Sequence, residues 1–292
     1  DVKIFIDACE KCQMHKVNRR MPQGKLQPVQ VPTQIGESYN LDFAVGLPKS
    51  GPDKYDSILV IKDRLSQRVF CIPTWTEAAA ETVADQFYNC IVCEHCRGIP
   101  KQLISDRDKF FTSRFWQAFQ RAAGTSVRMS TARQQSTNGG AERMVATITE
   151  ILSMELNFKQ DNWVKLLPQL TYAINDSPTP LLQGRTPLYV EMGFNPLKPI
   201  DLHPALDRGQ DARAESIGER IDRMRKLREE IYEAIVSSRL RMKTQADKHR
   251  RTSSTLLKKG MKAWLDIEGI QFTDLHLRPA PKLNPRYYGP FD

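Results

Sequence analysis

The sequence predicts an α/β fold in which helices flank a mixed five-stranded sheet. Three apolar segments, at about 39–47, 56–63 and 68–73, follow one another with short polar turns, and they show the alternation typical of an antiparallel meander. Two more strand-like segments, at 101–105 and 126–130, come later, and helical patterns lie around them. The order of three strands, helix, strand, helix, strand and helix favours a single sheet covered by helices.

The composition is that of a folded protein with one main domain and smaller additional pieces. The chain has 292 residues, and 40% of them are hydrophobic, which is enough to fill a core and excludes an intrinsically disordered protein. No apolar run approaches the roughly 20 residues that span a bilayer, so we expect no membrane partner. The chain begins at Asp1 without a signal peptide, and we expect a processed product or a fragment.

The formal charge of +9 is concentrated in one part of the chain. Residues 211–262 contain 15 Lys or Arg and 8 Asp or Glu. Such a basic segment indicates a polyanionic partner. The alternative is an ordinary solvated helix face, and charge alone does not decide between the two.

The first 36 residues predict a short helical piece and a linker. Residues 1–20 have helical character and end in a basic patch formed by Lys16, Arg19 and Arg20. Residues 21–36 are rich in Pro, Gly and Gln, which is typical of an extended linker.

Helices of the predicted core are assigned from capping signals and periodic apolar residues. A helix at about 77–93 has Thr76 as its expected N-cap. A second helix ends at Gly124, and a third begins near Ala141. A fourth is expected at about 161–175. The third helix buries a stripe at helical spacing, formed by Val145, Ile148, Leu152 and Leu156.

The C-terminal part predicts a long helix followed by short strands. At about 211–249, apolar residues recur every three to four positions, and the opposite face is charged. So narrow a stripe is typical of a coiled coil or a docking helix, and an ordinary surface helix on the same core is the alternative. The stripe consists of Ile217, Ile221, Met224, Leu227, Ile231 and Ile235.

Three carboxylates, Asp42, Asp106 and Glu142, are the candidates for chemistry. Asp42 interrupts the first apolar strand, Asp106 directly follows the fourth, and Glu142 opens a helix. Acids at such positions are costly unless a cation lies between them. A pair of divalent metal ions is the partner that suits three oxygen ligands, and it drives in-line phosphoryl transfer. We therefore expect the two aspartates to meet at one sheet edge and Glu142 to reach them from its helix.

Other acids nearby offer structural alternatives. A lone Asp in a strand is more often structural than catalytic. Asp63 and Arg64 could form a buried ion pair at a strand end, and Asp108 could cap the following turn or helix. Asp56 is a further alternative. The ordered spacing of the three candidates favours them over these neighbours.

The six cysteines are too few for a disulfide scaffold in a chain of this length, but two groups have metal-ligand spacing. Cys9-x-x-Cys12 is half of a zinc site and lacks two further ligands. A second group, Cys90-x-x-Cys93-Glu94-His95-Cys96, could bind zinc. Packed free thiols are the favoured interpretation, because Cys90 and Cys93 extend the apolar face of the preceding helix.

Several segments resemble the integrases of gypsy-class LTR retrotransposons, in order along nearly the whole chain. Residues 42–48 (DFAVGLP), 103–116 (LISDRDKFFTSRFW) and 137–143 (TNGGAER) resemble the three catalytic blocks of that family. Residues 9–13 (CEKCQ) resemble the end of its His-His-Cys-Cys zinc domain. Residues 246–250 (ADKHR) and 283–291 (LNPRYYGPF) resemble its C-terminal module.

The resemblance implies a retroviral-integrase-like catalytic core with the RNase H fold. It implies two Mg²⁺ or Mn²⁺ ions held by Asp42, Asp106 and Glu142, and Zn²⁺ at Cys9 and Cys12 if the missing ligands are supplied. The implied activity is 3′-end processing of element DNA and strand transfer into target DNA. Homo-oligomers formed through the helical linker, action in the host nucleus and an earlier stage in a cytoplasmic virus-like particle are also implied.

The same resemblance implies a division into modules. These are the end of a zinc-binding domain (1–20), a linker (21–36), the catalytic core (37–205), a helical linker (206–255) and a partial SH3-like module (256–292).

Double-stranded DNA, as element ends and as target, is the expected partner. Basic and polar residues in the N-terminal patch, in the loop and helix around Glu142, and on the charged helix face would contact mainly phosphates. They are Lys16, Arg19, Arg20, Arg133, Asn138, Arg143, Arg239, Arg241, Lys243, Lys248, Arg250 and Arg251. A weakened or domesticated DNA-binding scaffold is the alternative, because Gln134-Gln135-Ser136 stands where the family usually has His-Pro-Gln.

Overall fold

A computed structural model describes residues 2–15, 25–26, 28–105, 123, 126–129, 139–196, 217–248, 262–266 and 287–291. The chain divides into two compact units, Pro28–Leu240 and a smaller unit formed by Asp1–Gln27 with Arg241–Asp292. The module boundaries expected from the sequence stay predictions.

The larger unit is built on a five-stranded sheet. Its strands are β1 (Ser38–Ala44), β2 (Ser57–Asp63), β3 (Val69–Thr74), β4 (Gln102–Ser105) and β5 (Ser126–Met129), in the spatial order β3-β2-β1-β4-β5. The first three strands pair antiparallel, whereas β4 pairs parallel with both β1 and β5. The mixed five-stranded sheet flanked by helices, as predicted from the sequence, is therefore confirmed.

Helices cover both faces of this sheet. Helix α3 (Ala80–Phe87) continues into a π-helix (Tyr88–Glu94), and both pack with one face of the sheet around Tyr39, Leu41 and Phe70. Helices α4 (Gly139–Glu155) and α5 (Trp163–Asn175) pack on the other face. That second core contains residues from both strands and helices, namely Ala44, Ile58, Val60, Val69, Ile148, Leu152, Trp163, Leu167 and Leu170.

The start of α3 differs from the sequence-based expectation. Its N-cap is Ala79, whose side chain makes no capping hydrogen bond, and not Thr76. The Thr76 amide instead donates to Asp56 at 2.7 Å, which fixes the chain leaving β3. The sequence pattern predicted the wrong N-cap residue. Threonine is a preferred residue type at an N-cap, but the Thr76 amide is already hydrogen-bonded to Asp56.

A side chain of α5 makes hydrogen bonds to the backbone of edge strand β3. The side-chain amide of Asn175, only 4% exposed, accepts from the Val69 amide and donates to the Val69 carbonyl, both at 2.8 Å. These bonds satisfy the two backbone groups of Val69, which would be costly to leave unpaired.

A third core lies beneath the long helix α7 (Ile217–Lys248). Leu227, Ile231 and Ile235 are at most 5% exposed, and they pack with Val31, Leu65, Leu182 and Val190 of the same unit. Ile221 is 54% exposed. The coiled-coil or docking interpretation of the apolar stripe is therefore wrong for its central part, which is buried within the chain. Two shorter elements beside this core are a 3₁₀ turn (Pro180–Leu182) and helix α6 (Pro187–Met192).

The smaller unit contains helices α1 (Val2–Ala8) and α2 (Glu10–His15) and an antiparallel strand pair, β6 (Ala263–Asp266) and β7 (Tyr287–Phe291). Within it, the Leu26 amide donates to Asp247 at 2.7 Å. Among the described residues, no helix has the length and apolar character that crossing a bilayer requires.

Candidate active site

Asp42 lies on the sheet face that α4 covers. It is opposite Val60 in the antiparallel β1–β2 pair, so the two side chains point to the same face. Val60 belongs to the core beneath α4, and so does Ala44, two residues along β1. Asp42 itself is half-buried, and its Oδ1 accepts the Phe43 amide at 2.9 Å. A carboxylate thus interrupts an otherwise apolar surface directly under the helix.

The parallel pairing of β1 and β4 ends beside this acid. Leu41 is the Cα partner of Ser105, the last residue of β4. Asp42 follows Leu41 in the chain, and Asp106 follows Ser105. Asp106 lies outside the described residues, so its role as the second acid stays a prediction.

Glu142 stands in the first turn of α4. It comes three residues before Val145, which with Ile148 packs on the sheet, so it lies on the helix face turned toward β1 and β2. Glu142 is half-buried, whereas the next residue, Arg143, is exposed. The described structure therefore brings Asp42 and the Glu142 turn to one face of the sheet.

A lysine that the sequence analysis did not single out also lies on this face. Lys62 of β2 is opposite Asn40 of β1, two residues before Asp42. Burial, and secondly the nearby Arg143 guanidinium, lower the pKa of Lys62 to about 8. Asn40 is 8% exposed, and its Oδ1 accepts no hydrogen bond from the described residues. The only signal in the sequence was that Lys62 directly follows the apolar run 58–61 within the predicted strand.

Two of the alternative acids have structural partners. Asp63, completely buried, accepts from the Gly36, Leu65 and Ser66 amides at 2.6–2.9 Å. Its ionic partner is Arg97 at 3.6 Å, so the expected Asp63–Arg64 pair is wrong. Arg64 instead donates to Ser38 and Gln102 and to the Gln30 carbonyl. Asp56 holds the Thr76 amide, as described above, and Asp108 lies outside the described residues.

Comparison with curated proteins finds sequence similarity to transposon polyproteins. The chain is 26% identical over 217 residues to the Transposon Tf2-3 and Tf2-4 polyproteins of Schizosaccharomyces pombe (strain 972). Each match covers 74% of this chain and 16% of the polyprotein. The chain is therefore similar in sequence to one part of these transposon polyproteins. It spans about a sixth of the length of these relatives, and no protein-family model matches it.

Solved integrase structures show a weaker likeness. The chain aligns with a simian T-cell lymphotropic virus intasome in complex with PP2A regulatory subunit B56 gamma, at 15% identity and a TM-score of 0.46, over 68% of this chain and 69% of that one. It aligns with an HTLV-2 integrase catalytic core domain in complex with magnesium, in dimeric form, at 17% identity and a TM-score of 0.41, over 53% and 94%. TM-scores below 0.5 do not by themselves establish a shared fold.

The candidate DNA contacts are divided between the two units. In the larger unit Arg143 is exposed, but Arg239 is not a free basic group: it donates to the Val29 carbonyl, and burial lowers its pKa. In the smaller unit Arg241 and Lys248 are exposed and Lys243 is half-buried. The remaining candidates lie outside the described residues: Lys16, Arg19, Arg20, Arg133, Asn138, Arg250 and Arg251.

The zinc half-site of the smaller unit has its two thiols close together. Hydrogen bonds from the Cys12 backbone and side chain lower the pKa of the half-buried Cys9 thiol. Thiolate is the form that binds metal, so the pair suits one side of a zinc site. Zinc at Cys9 and Cys12 stays a prediction.

Proposed function

We propose that this chain is the integrase of a gypsy-class LTR retrotransposon, which trims the 3′ ends of element DNA and joins them to target DNA. The observation that carries the proposal is the position of Asp42 on the sheet face covered by the Glu142-bearing turn of α4. Asp106 follows the strand end that pairs beside Asp42. The similarity to transposon polyproteins supports the same assignment.

The acids fit a divalent metal site by their chemistry. Carboxylate oxygens are the ligands that Mg²⁺ and Mn²⁺ prefer, and Asp42 and Glu142 are half-buried acids at one helix–sheet junction. When bound, two such ions activate the attacking water or 3′ hydroxyl and stabilise the leaving oxygen. Asp42, Asp106 and Glu142 are the residues that would hold these ions.

The protein's own contribution is positioning and charge. Strand β1 is hydrogen-bonded on both sides, so it holds the Asp42 carboxylate in a rigid frame, and α4 is anchored by Ile148 and Leu152. Arg143 and Lys62 add positive charge beside the acids, which favours the approach of a DNA phosphate.

A strand-transfer assay tests this proposal. The protein is incubated with an element-end duplex, a supercoiled target and Mn²⁺, and joined products are quantified. We expect Asp42→Asn, Asp106→Asn and Glu142→Gln each to reduce joining by at least about 100-fold, because two-metal chemistry needs all three carboxylates. Glu150→Gln is the matched control, since Glu150 is an exposed acid of the same helix.

The outcomes separate the candidate functions. Joining that depends on the three acids and not on Glu150 supports an integrase. DNA binding without joining by the parent protein would favour the scaffold alternative. Cleavage of an RNA–DNA hybrid in place of joining would indicate an RNase H-type nuclease.

The biological setting belongs to the proposal as well. We expect the chain to act on double-stranded DNA as a homo-oligomer, in the nucleus of the host after a stage in a cytoplasmic virus-like particle. Because the central stripe of α7 is buried within the chain, oligomer contacts through this helix would have to use its exposed positions, such as Ile221.

A further inference from the structure

Three side chains with different metal-binding atoms converge where the π-helix ends. The Cys90 thiol, the Glu94 carboxylate and the His95 imidazole lie within 4.8 Å of one another. Cys90 packs against the core that contains Tyr39 and Phe70, on the sheet face opposite Asp42. We propose that Cys90, Glu94 and His95 bind a zinc-class transition-metal ion, separate from the site around Asp42.

The π-helix is what brings these residues together. The His95 amide donates to the Cys90 carbonyl and the Arg97 amide to the Ile91 carbonyl, both at 3.1 Å, so the turn is wider than an α-helical one. In an α-helix, residues 90 and 94 share a face but residue 95 points elsewhere. The wider turn carries His95 back over Cys90. Such π-turns are rare and occur frequently at functional sites.

Contacts with β3 hold the imidazole in place. The His95 ring lies against Phe70, with the ring centroids 4.6 Å apart. Burial, followed by the charges of Arg68 and Arg97, lowers the pKa of His95, which keeps the ring in the neutral form that binds metals.

The surrounding charges are balanced without these ligands. Arg68 is paired with Glu191, and Arg97 is paired with both Glu191 and Asp63. The two arginines therefore have their own carboxylates and do not need Glu94. A Cys90 thiolate and the Glu94 carboxylate together carry the −2 charge that neutralises a divalent ion.

The mixed ligand set selects the class of metal. A thiolate and an imidazole favour zinc and its neighbours over Mg²⁺, and zinc accepts a carboxylate as a further ligand. The ligand atoms are up to 4.8 Å from one another. Bonds from zinc to its ligands are about 2.0–2.3 Å long, so the three atoms need to move together only slightly to bind one ion. Burial raises the pKa of Cys90 to about 12, so metal binding would release a proton from this thiol.

The described residues supply three ligand atoms, so Cys93, Cys96 or a water would complete a tetrahedral site. Cys93 and Cys96 are exposed, and the Cys96 thiol donates to the Cys93 carbonyl at 3.4 Å. The exposure of Cys93 shows that the expected pair of packed thiols was wrong for one of its members. Of the two thiols Cys90 and Cys93, only Cys90 continues the apolar face of α3.

The metal content of the 292-residue chain tests this proposal. Cys9→Ser and Cys12→Ser are introduced first, so that the other thiol pair binds no zinc. After exposure to Zn²⁺ and gel filtration, we expect one zinc per chain. We expect Cys90→Ala, Glu94→Gln and His95→Gln each to weaken zinc binding by at least about 100-fold, beyond the 10–100-fold effect of outer-shell changes. Glu81→Gln, an exposed acid of α3, is the matched control.

Binding of Co²⁺ provides a second measurement. Its visible absorption reports the ligands of the ion and not only whether the chain is folded. Here the parent is the protein that already carries Cys9→Ser and Cys12→Ser. Tetrahedral thiolate coordination of Co²⁺ should give visible absorption in this parent and in its Glu81→Gln variant, and none in its Cys90→Ala variant. Circular dichroism checks that the variants are folded. Zinc retained at one per chain in both Glu94→Gln and His95→Gln, or absent from the parent, would overturn the proposal. Neither readout requires DNA joining, so the failure of this site and of the proposed function are distinguishable.

Discussion

Leu41 and Ser105 are Cα partners in the parallel pairing of β1 and β4, and each is followed in the chain by an aspartate. A one-residue change of register would move Asp42 to the opposite face, because side chains alternate along a strand. The buried neighbours Leu41 and Leu103 face one core, while Ala44 faces the other, and this fixes the register. The position of Asp42 under α4 is thus a consequence of packing on both faces of the sheet.

Replacing Asp63 should destabilise the larger unit. Its carboxylate accepts three backbone amides and lies against Arg97 while having no exposed surface. We expect Asp63→Asn to lower the free energy of unfolding by about 3–5 kcal/mol, as for other broken buried ion pairs. Urea unfolding measures this, with Asp85→Asn, an exposed acid of α3, as the control. Equal stability of the two variants would contradict the assigned role.

The packing of α7 can be tested by truncating its stripe. Ile231 is completely buried against the third core, whereas Ile221 is 54% exposed. We expect Ile231→Ala to reduce the free energy of unfolding by about 2–5 kcal/mol and Ile221→Ala by less than about 1 kcal/mol. Denaturant unfolding at several protein concentrations checks both. A loss that disappears on dilution would show that the stripe is buried between protomers and not within one.

Lys62 should make stability depend on alkaline pH. Its pKa is about 8 in the folded state, against an ordinary value of 10.5, so the folded protein binds fewer protons between these values. The free energy of unfolding therefore rises with pH across that window, because the cost of the buried charge is present below pH 8 and is relieved above it. Lys62→Met should abolish this contribution and stabilise the protein at pH 7 by an amount on the order of 2 kcal/mol.

Thermal or urea unfolding of both proteins at pH 7 and pH 10 provides the check. The stability difference between Lys62→Met and the parent should shrink as the pH rises. Arg143→Gln offers a second variant, since removing that guanidinium should raise the pKa of Lys62 and reduce the effect. A parent and a Lys62→Met variant with parallel pH profiles would contradict this account.

The antiparallel pairing of the first three strands could be predicted because it depends on local patterns. Alternation in β2 and β3, and the short turn between them, determine an antiparallel pair. Asp42 was predicted as a candidate site residue because a carboxylate inside an apolar strand is costly to bury without a partner, and the sequence alone shows its position.

Tertiary partners explain what the sequence did not predict. Asp63 pairs with Arg97, which lies 34 positions along the chain, and not with the adjacent Arg64. The π-helix leaves no local pattern different from that of α3, so the convergence of Cys90 and His95 appeared only in the structure. Lys62 resembled an ordinary strand residue until its pairing with Asn40 placed it beside Asp42.

A crystal structure with Mn²⁺ tests the central claim most directly, because anomalous scattering locates the ions without reference to activity. We expect Mn²⁺ peaks within about 2.0–2.6 Å of carboxylate oxygens from Asp42, Asp106 and Glu142 together. This expectation would be contradicted by Mn²⁺ bound elsewhere, with these three carboxylates too far apart to share an ion.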